Sequence, residues 1–252
     1  MLLVQRMTTD GRHLFRLRSV VPLVLVPLVL IAADRLAHFE LRWGGQAEDM
    51  WLLSCALLSG LGLALRCFTV GFAPPGTSGR GTTIPSAASL NDRGIYSIVR
   101  NPLYLANAIM WLGVALATAS GWFAAVTMLA YWLYIERVIS AEESFLAEQF
   151  GDAYDRWIEH TPCFQPRPSL WRPADIGFSL RTVLRREYPG LIVLAVAFPL
   201  MDYITDVLIG GEPWRHWLRT DRGWFIFFVG GIAVGLIIRC LKKLHLLDEA
   251  DR

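Results

Sequence analysis

Pro102-Leu-Tyr-Leu-Ala-Asn-Ala-Ile-Met-Trp-Leu-Gly-Val-Ala-Leu-Ala-Thr-Ala119, then Ser120-Gly121, then Trp122-Phe-Ala-Ala-Val-Thr-Met-Leu-Ala-Tyr-Trp-Leu-Tyr-Ile-Glu-Arg-Val-Ile139, sets two long apolar runs side by side in the chain. A membrane span needs about 20 mostly apolar residues. Two such runs joined by a single small polar dipeptide read as a tight hairpin of membrane helices. On the N-terminal side, 19–39 is a further span, shortened by Asp34 and Arg35. So are 50–72, with Arg66 near its end, 191–209, carrying Asp202 and Asp206, and 224–241. The last ends in Arg239, Lys242 and Lys243, which snorkel to an interface. Its Gly231 and Gly235 read as small-residue helix packing. The expected fold is an all-α, multi-pass transmembrane bundle of about six spans.

Composition agrees. Of 252 residues 54% are apolar and 18% charged, against roughly 25% charged in a soluble domain. Mean hydropathy is +0.40. Such a chain lacks the polar groups to cover a soluble enzyme, is too apolar for disorder, and is no polar nucleic-acid binder. The four cysteines (Cys55, Cys67, Cys163, Cys240) form no CxxC pair, and the five histidines are scattered. Neither pattern implies a disulfide framework or a metal site.

Positive charge sets the orientation. Arg6, Arg12, Arg16 and Arg18 in the N-terminal arm, Arg80, Arg93 and Arg100 after the second span, the arginines from Arg156 to Arg186, and the C-terminal Arg239, Lys242 and Lys243 all fall on one side. That side is cytoplasmic by the positive-inside rule, with both termini inside. The expected setting is a bacterial cytoplasmic membrane. A cleaved signal peptide is the alternative for the first segment, and would leave the downstream orientation unchanged. Three regions result: an arm and two helices over 1–73, a core over 74–174, and a two-helix extension over 175–252.

The core carries the chemistry. In Gly94-Ile-Tyr-Ser-Ile-Val-Arg-Asn-Pro-Leu-Tyr104, Asn101 is a preferred N-cap and Pro102 a preferred first helical residue. A plain helix start accounts for this; so does an anion-binding corner of helix N–H groups, Arg100 and two phenols. In Glu136-Arg-Val-Ile-Ser-Ala-Glu-Glu-Ser-Phe-Leu-Ala-Glu-Gln-Phe150, the apolar stripe runs through Val138, Leu146 and Phe150. Glu142 is centred on that stripe and Glu143 stands at its edge, whereas Glu148 and Asp152 fall off it. A carboxylate there needs a partner: Arg137, Arg100 or a bound cation. A Glu–Arg pair that only docks the helix is the alternative. Gly151 ends this helix, and Tyr154 and Trp157 read as interfacial aromatics. The Gly76–Gly81 loop lacks the strand and Gly-Lys-Ser/Thr of a phosphate loop.

Gly94-x-Tyr96, Arg100-Asn-Pro-Leu-Tyr104, two apolar helices, the Glu142-Glu143 pair, Phe150-Gly-x-x-Tyr154 and a proline-broken tail come in that order over about residues 74–168. In this the chain resembles the isoprenylcysteine carboxyl methyltransferase and phospholipid methyltransferase group of membrane enzymes. The resemblance implies S-adenosylmethionine as methyl donor, bound on the cytoplasmic side. It puts Leu90, Asn91, Tyr96, Asn101, Pro102, Leu103 and Tyr104 around the cofactor and Glu142 or Glu143 at its cationic end. It gives Arg100 or Arg137 the acceptor's anionic group, and implies a membrane lipid or lipidated acceptor. Asn101 stands where the group often has His, and Asn cannot titrate near neutrality, which removes a base at that position. A carboxylate or phosphate acceptor needs no base; an amine would call on Glu142. Two other readings are an NADPH-dependent reductase of the sterol-reductase type, with a similar corner, and a scaffold or transporter using Asp202 and Asp206 as a relay. For those two aspartates interfacial anchoring is the simpler account. The sequence sets no oligomeric state.

Overall fold

The computed structural model describes residues 3–17, 26–77 and 87–248. The start of the first expected span with Pro22, the loop around Ser78 and Arg80, and the last four residues lie outside them. The described chain is all α, with a single isolated bridge between Gly94 and Arg172. Its helices are α1 (Leu3–Leu17), α2 (Val26–Trp43), α3 (Gly45–Gly71), α4 (Pro102–Leu116), α5 (Gly121–Phe150), α6 (Asp152–His160), α7 (Leu180–Tyr203), α8 (Trp214–Thr220) and α9 (Arg222–Lys243). A π-helical turn, Ile204–Ile209, prolongs α7.

Among the described residues four helical stretches are long and apolar enough to cross a membrane: Gly45–Gly71, Gly121–Phe150, Leu180–Ile209 and Arg222–Lys243. They make this a multi-pass membrane bundle. Leu53, Leu57 and Leu61 on α3 and Ile226, Val234 and Ile237 on α9 are exposed, as a lipid-facing surface requires. The fourfold set is smaller than the six spans expected. The helix read as 102–119 stops at Leu116, and 15 residues reach only about 22 Å at 1.5 Å per residue. Thr118 ends it by donating its hydroxyl to the Ala115 carbonyl, 2.8 Å away. The first expected span is represented by α2, which buries Ala33 and Leu36 in the main apolar cluster.

Two helices run further than their apolar runs. α5 continues without a break to Phe150, as the stripe through Val138 and Leu146 predicts. It ends at Gly151, whose φ of 49° is the left-handed conformation a Cβ disfavours. α7 begins at Leu180, well before 191, because Ser179 caps it by accepting from the Thr182 N–H at 3.0 Å. Its charged first half is stabilised from another helix. Arg66 of α3 grips Glu187 of α7 bidentately, at 2.7 and 3.1 Å, and donates to Asn107 of α4 at 2.6 Å.

α3 packs on α4 and α7, and α7 on α9. A Cβ at Gly231 would meet Ala195 and one at Gly235 would meet Ile192, so these small residues seat α9 against α7. The basic N-terminal arm is a helix lying on α5. A Cβ at Gly11 would fall 2.0 Å from the Arg137 carbonyl oxygen, and the Thr8 hydroxyl lies 3.2 Å from that of Ser140.

Candidate active site

The site is built on a turn rather than on the hairpin alone. Gly94 opens a 3-10 turn, Ile95–Ser97, and the Ser97 hydroxyl donates back to the Gly94 carbonyl at 2.6 Å. The proline-broken tail is bound to this turn. Arg172 N–H donates to the Ser97 hydroxyl and Gly94 N–H to the Arg172 carbonyl, both at 2.9 Å. Arg100 N–H donates to the Pro162 carbonyl and Arg167 N–H to that of Ile98. The tail thus satisfies backbone groups that a buried turn would otherwise leave unpaired.

Asn101 occupies the N-cap position of α4 with Pro102 behind it, but its side chain makes no cap bond. Its amide instead donates to the carbonyl and the Sγ of Cys163, each 3.3 Å away. The sequence expectation of a capping asparagine is corrected: the tail competes for the amide. One turn further on, the Tyr104 hydroxyl donates to Glu142 Oε1 at 2.7 Å, and the Tyr131 hydroxyl donates to the Tyr104 carbonyl at 2.6 Å. Arg100 Nη1 stands 2.8 Å from Glu143 Oε1. The Arg-Asn-Pro-x-Tyr run and the glutamate pair, some 40 residues apart, therefore close into one corner.

Of the candidate partners for Glu142, Arg137 turns its guanidinium to the Leu133 carbonyl of its own helix. Glu142 and Glu143 are half-buried and Glu148 exposed, matching their places on the stripe. Tyr96 joins the corner through Trp157, whose indole N–H donates to the Tyr96 carbonyl at 3.1 Å. Burial holds the Tyr96 phenol above its ordinary value, the Glu142 charge adds to this, and Arg186 and Arg66 oppose it. Burial likewise raises Tyr154, with Glu143 adding and Arg100 opposing. The Cys163 thiol is pushed up by burial and by Glu143. Tyr154 and Trp157, expected as interfacial aromatics, and Arg66, expected near the end of its span, belong to these surroundings, as does Asn107, which the sequence reading passes over. A polar Asn107 one turn past Tyr104 in an apolar helix was the available signal.

A cavity of about 490 Å³ lies one layer away, between the 95–97 turn, α6 and the tail. Leu90, Ser97, Trp157, His160 and Arg172 are on its wall. Leu90 belongs to the expected cofactor set; Tyr104 and Glu142 do not line this cavity. Asn91 and Leu103 are half-buried and Pro102 is buried.

Residues 78–153 match the phospholipid methyltransferase family, and they include both halves of the corner. The chain is also similar to the nickel-cobalt-cadmium resistance protein NccN of Alcaligenes xylosoxydans xylosoxydans, 34% identical over 151 residues, 59% of this chain and 64% of NccN. It is 36% identical over 133 residues to the cobalt-zinc-cadmium resistance protein CzcN of Cupriavidus metallidurans, covering 52% of this chain and 56% of CzcN. The chain spans less than two thirds of the length of either relative. No solved structure matches it. Fold and likeness together define a bacterial multi-pass membrane protein with a methyltransferase-like segment. They support this broad class and not the isoprenylcysteine branch in particular.

Proposed function

We propose that the chain is an S-adenosylmethionine-dependent methyltransferase acting on a lipid or lipid-linked acceptor at the cytoplasmic face of the membrane. The observation that carries this reading is the closure of Arg100, Tyr104, Glu142 and Glu143 into one corner within the family-matching segment. The residues present fit the cofactor. Arg100 Nε is buried and has no hydrogen-bond partner among the described residues, a costly state that an anionic group relieves. The two carboxylates offer the negative charge that a sulfonium favours. Bound S-adenosylmethionine supplies an activated methyl group; transfer then depends mainly on holding donor and acceptor in line and excluding water.

In this reading Tyr96 and Asn101 to Tyr104, with Leu90 and Asn91, surround the cofactor. Glu142, oriented by the Tyr104 hydroxyl, faces its cationic end. Arg100 holds the acceptor's anionic group; Arg137, turned along its own helix, takes no part. The cavity beside Leu90 and Trp157 is of the size that holds a small molecule. The reductase alternative calls for basic residues free to meet a 2′-phosphate, whereas Arg93 faces Asp175 at 3.8 Å.

The test is binding and turnover with purified protein in detergent. Calorimetry with S-adenosylhomocysteine is expected to give saturable heat, and labelled methyl donor with total lipid extract a product about 14 mass units heavier, one methyl replacing one hydrogen. Heat with NADPH and none with S-adenosylhomocysteine overturns the reading.

A further inference from the structure

The end of the bundle away from Tyr104 is acidic. α3 and α4 run antiparallel, with Gly62 of α3 against Ala106 and Met110 and the Trp51 indole bonded to the Leu116 carbonyl. The first turn of α3 is therefore remote from the corner. There Glu40 of α2, Glu48 of α3 and Asp206 of the π turn each bring a carboxylate oxygen within 4.8 Å of the others. Asp49, Asp202 and Asp221 form a second such group beside them.

The two groups differ in what satisfies them. In the second, the Trp224 indole donates to Asp49 at 3.0 Å, the Trp217 indole to Asp202 at 2.7 Å, and the Thr220 hydroxyl to Asp221. In the first, Glu48 is only 4% exposed and Asp206 9%. Yet Glu48 Oε1 and Asp206 Oδ1 are buried without a hydrogen-bond partner among the described residues. None of the ion pairs recorded among the described residues involves any of the six carboxylates. Clustered, buried and unpaired carboxylates are costly unless a cation or a proton joins them. The π turn also points to a built site. It widens the helix so that Gly210 N–H reaches the Thr205 carbonyl at 2.8 Å, and such insertions are frequent at functional positions. The sequence expectation of no metal site rested on histidine and cysteine spacing, which a carboxylate set on three separate elements does not display.

We propose that Glu40, Glu48 and Asp206 bind one hard divalent cation of the calcium–manganese class. Oxygens that share a cation at roughly 2.3–2.6 Å lie within about 5 Å of one another, as these do. An all-carboxylate set with no imidazole or thiolate suits such ions rather than softer metals. The second group adds negative field without being a ligand set, because indole and hydroxyl donors already occupy it. The cation would tie α2, α3 and the π turn together, independently of the methyltransferase reading.

The test is Mn²⁺ titration of chelator-stripped full-length protein in detergent, with free Mn²⁺ followed by electron paramagnetic resonance. One Mn²⁺ per chain is expected, displaced by Ca²⁺. Glu48→Gln and Asp206→Asn are expected to weaken binding at least about tenfold, and Glu148→Gln to leave it unchanged. Mn²⁺ should raise the unfolding temperature of the native protein and not that of Glu48→Gln. If the buried variants lose the fold, Glu40→Gln at the half-buried rim takes their place. No uptake by about 1 mM, the weak end of protein calcium sites, overturns the proposal, as does undiminished binding by the folded variants.

Discussion

Tyr104 and Glu142 meet across the α4–α5 hairpin, hydroxyl to carboxylate at 2.7 Å, with the Tyr104 carbonyl itself held by Tyr131. The pair gives Glu142 a neutral donor that orients it without cancelling its charge. Tyr104→Phe should keep the fold, with a loss of about 1.5–3 kcal/mol for a hydrogen bond to a charged group. It should lower S-adenosylhomocysteine affinity about tenfold or more. Unchanged calorimetric affinity would separate this bond from the cofactor site.

Arg66 and Glu187 tie α3 to α7 through a bidentate pair in which Glu187 is 5% exposed. Removing one charge takes the bidentate partner from the other. Arg66→Met alone is expected to cost about 3–5 kcal/mol, and Arg66→Met with Glu187→Leu distinctly less. Thermal unfolding in detergent measures both. A double variant as damaged as the single would mean that the pair contributes net stability.

Gly11 lets α1 touch α5. Gly11→Val forces the helices apart, because even a Cβ would lie 2.0 Å from the Arg137 carbonyl oxygen. A loss of about 1–3 kcal/mol is expected, with limited proteolysis cutting near α1 in the variant and not in the native chain. Equal protection in both would show that α1 has another seat.

Tyr96 and Tyr154 both hold their protons more tightly in the folded chain than free tyrosine, chiefly through burial. The unfolded chain therefore loses its phenolic protons first, near pH 10. By linkage, stability is unaffected below that pH and falls as pH rises from it toward the folded-state values. Denaturant midpoints measured from neutral to strongly alkaline pH should show this decline, shallower in Tyr96→Phe. An equally steep decline in that variant would remove Tyr96 from the account.

Ser169, exposed on the tail, reports orientation. Ser169→Cys should react with a membrane-impermeant thiol reagent only when the cytoplasmic face is open. Reaction from outside would invert the topology and move the proposed site to the other compartment.

The hairpin, the unbroken passage of α5 into the glutamate-bearing stretch and the stop at Gly151 were legible because local spacing decides them. So was the docking of α9 through Gly231 and Gly235. What long-range partners decide was not. The amide of Asn101 goes to Cys163, 62 residues on, and not to its own helix. The charged first half of α7 is held within the bundle by Arg66, which pairs with Glu187 from 121 residues earlier in the chain. Asp202 and Asp206 were read as interfacial anchors, yet both are buried. Tryptophan donors and the π turn, neither visible as a motif, draw them inward.

The seat of α1 is made late. Thr8 rests on Ser140, 132 residues further along the chain. A ribosome adding about 5–20 residues per second leaves the first helix waiting on the order of ten seconds for its resting place. Throughout that interval an amphipathic, arginine-bearing helix has yet to meet the helix it lies on. Biogenesis must therefore shelter α1 until the second half of α5 has been made.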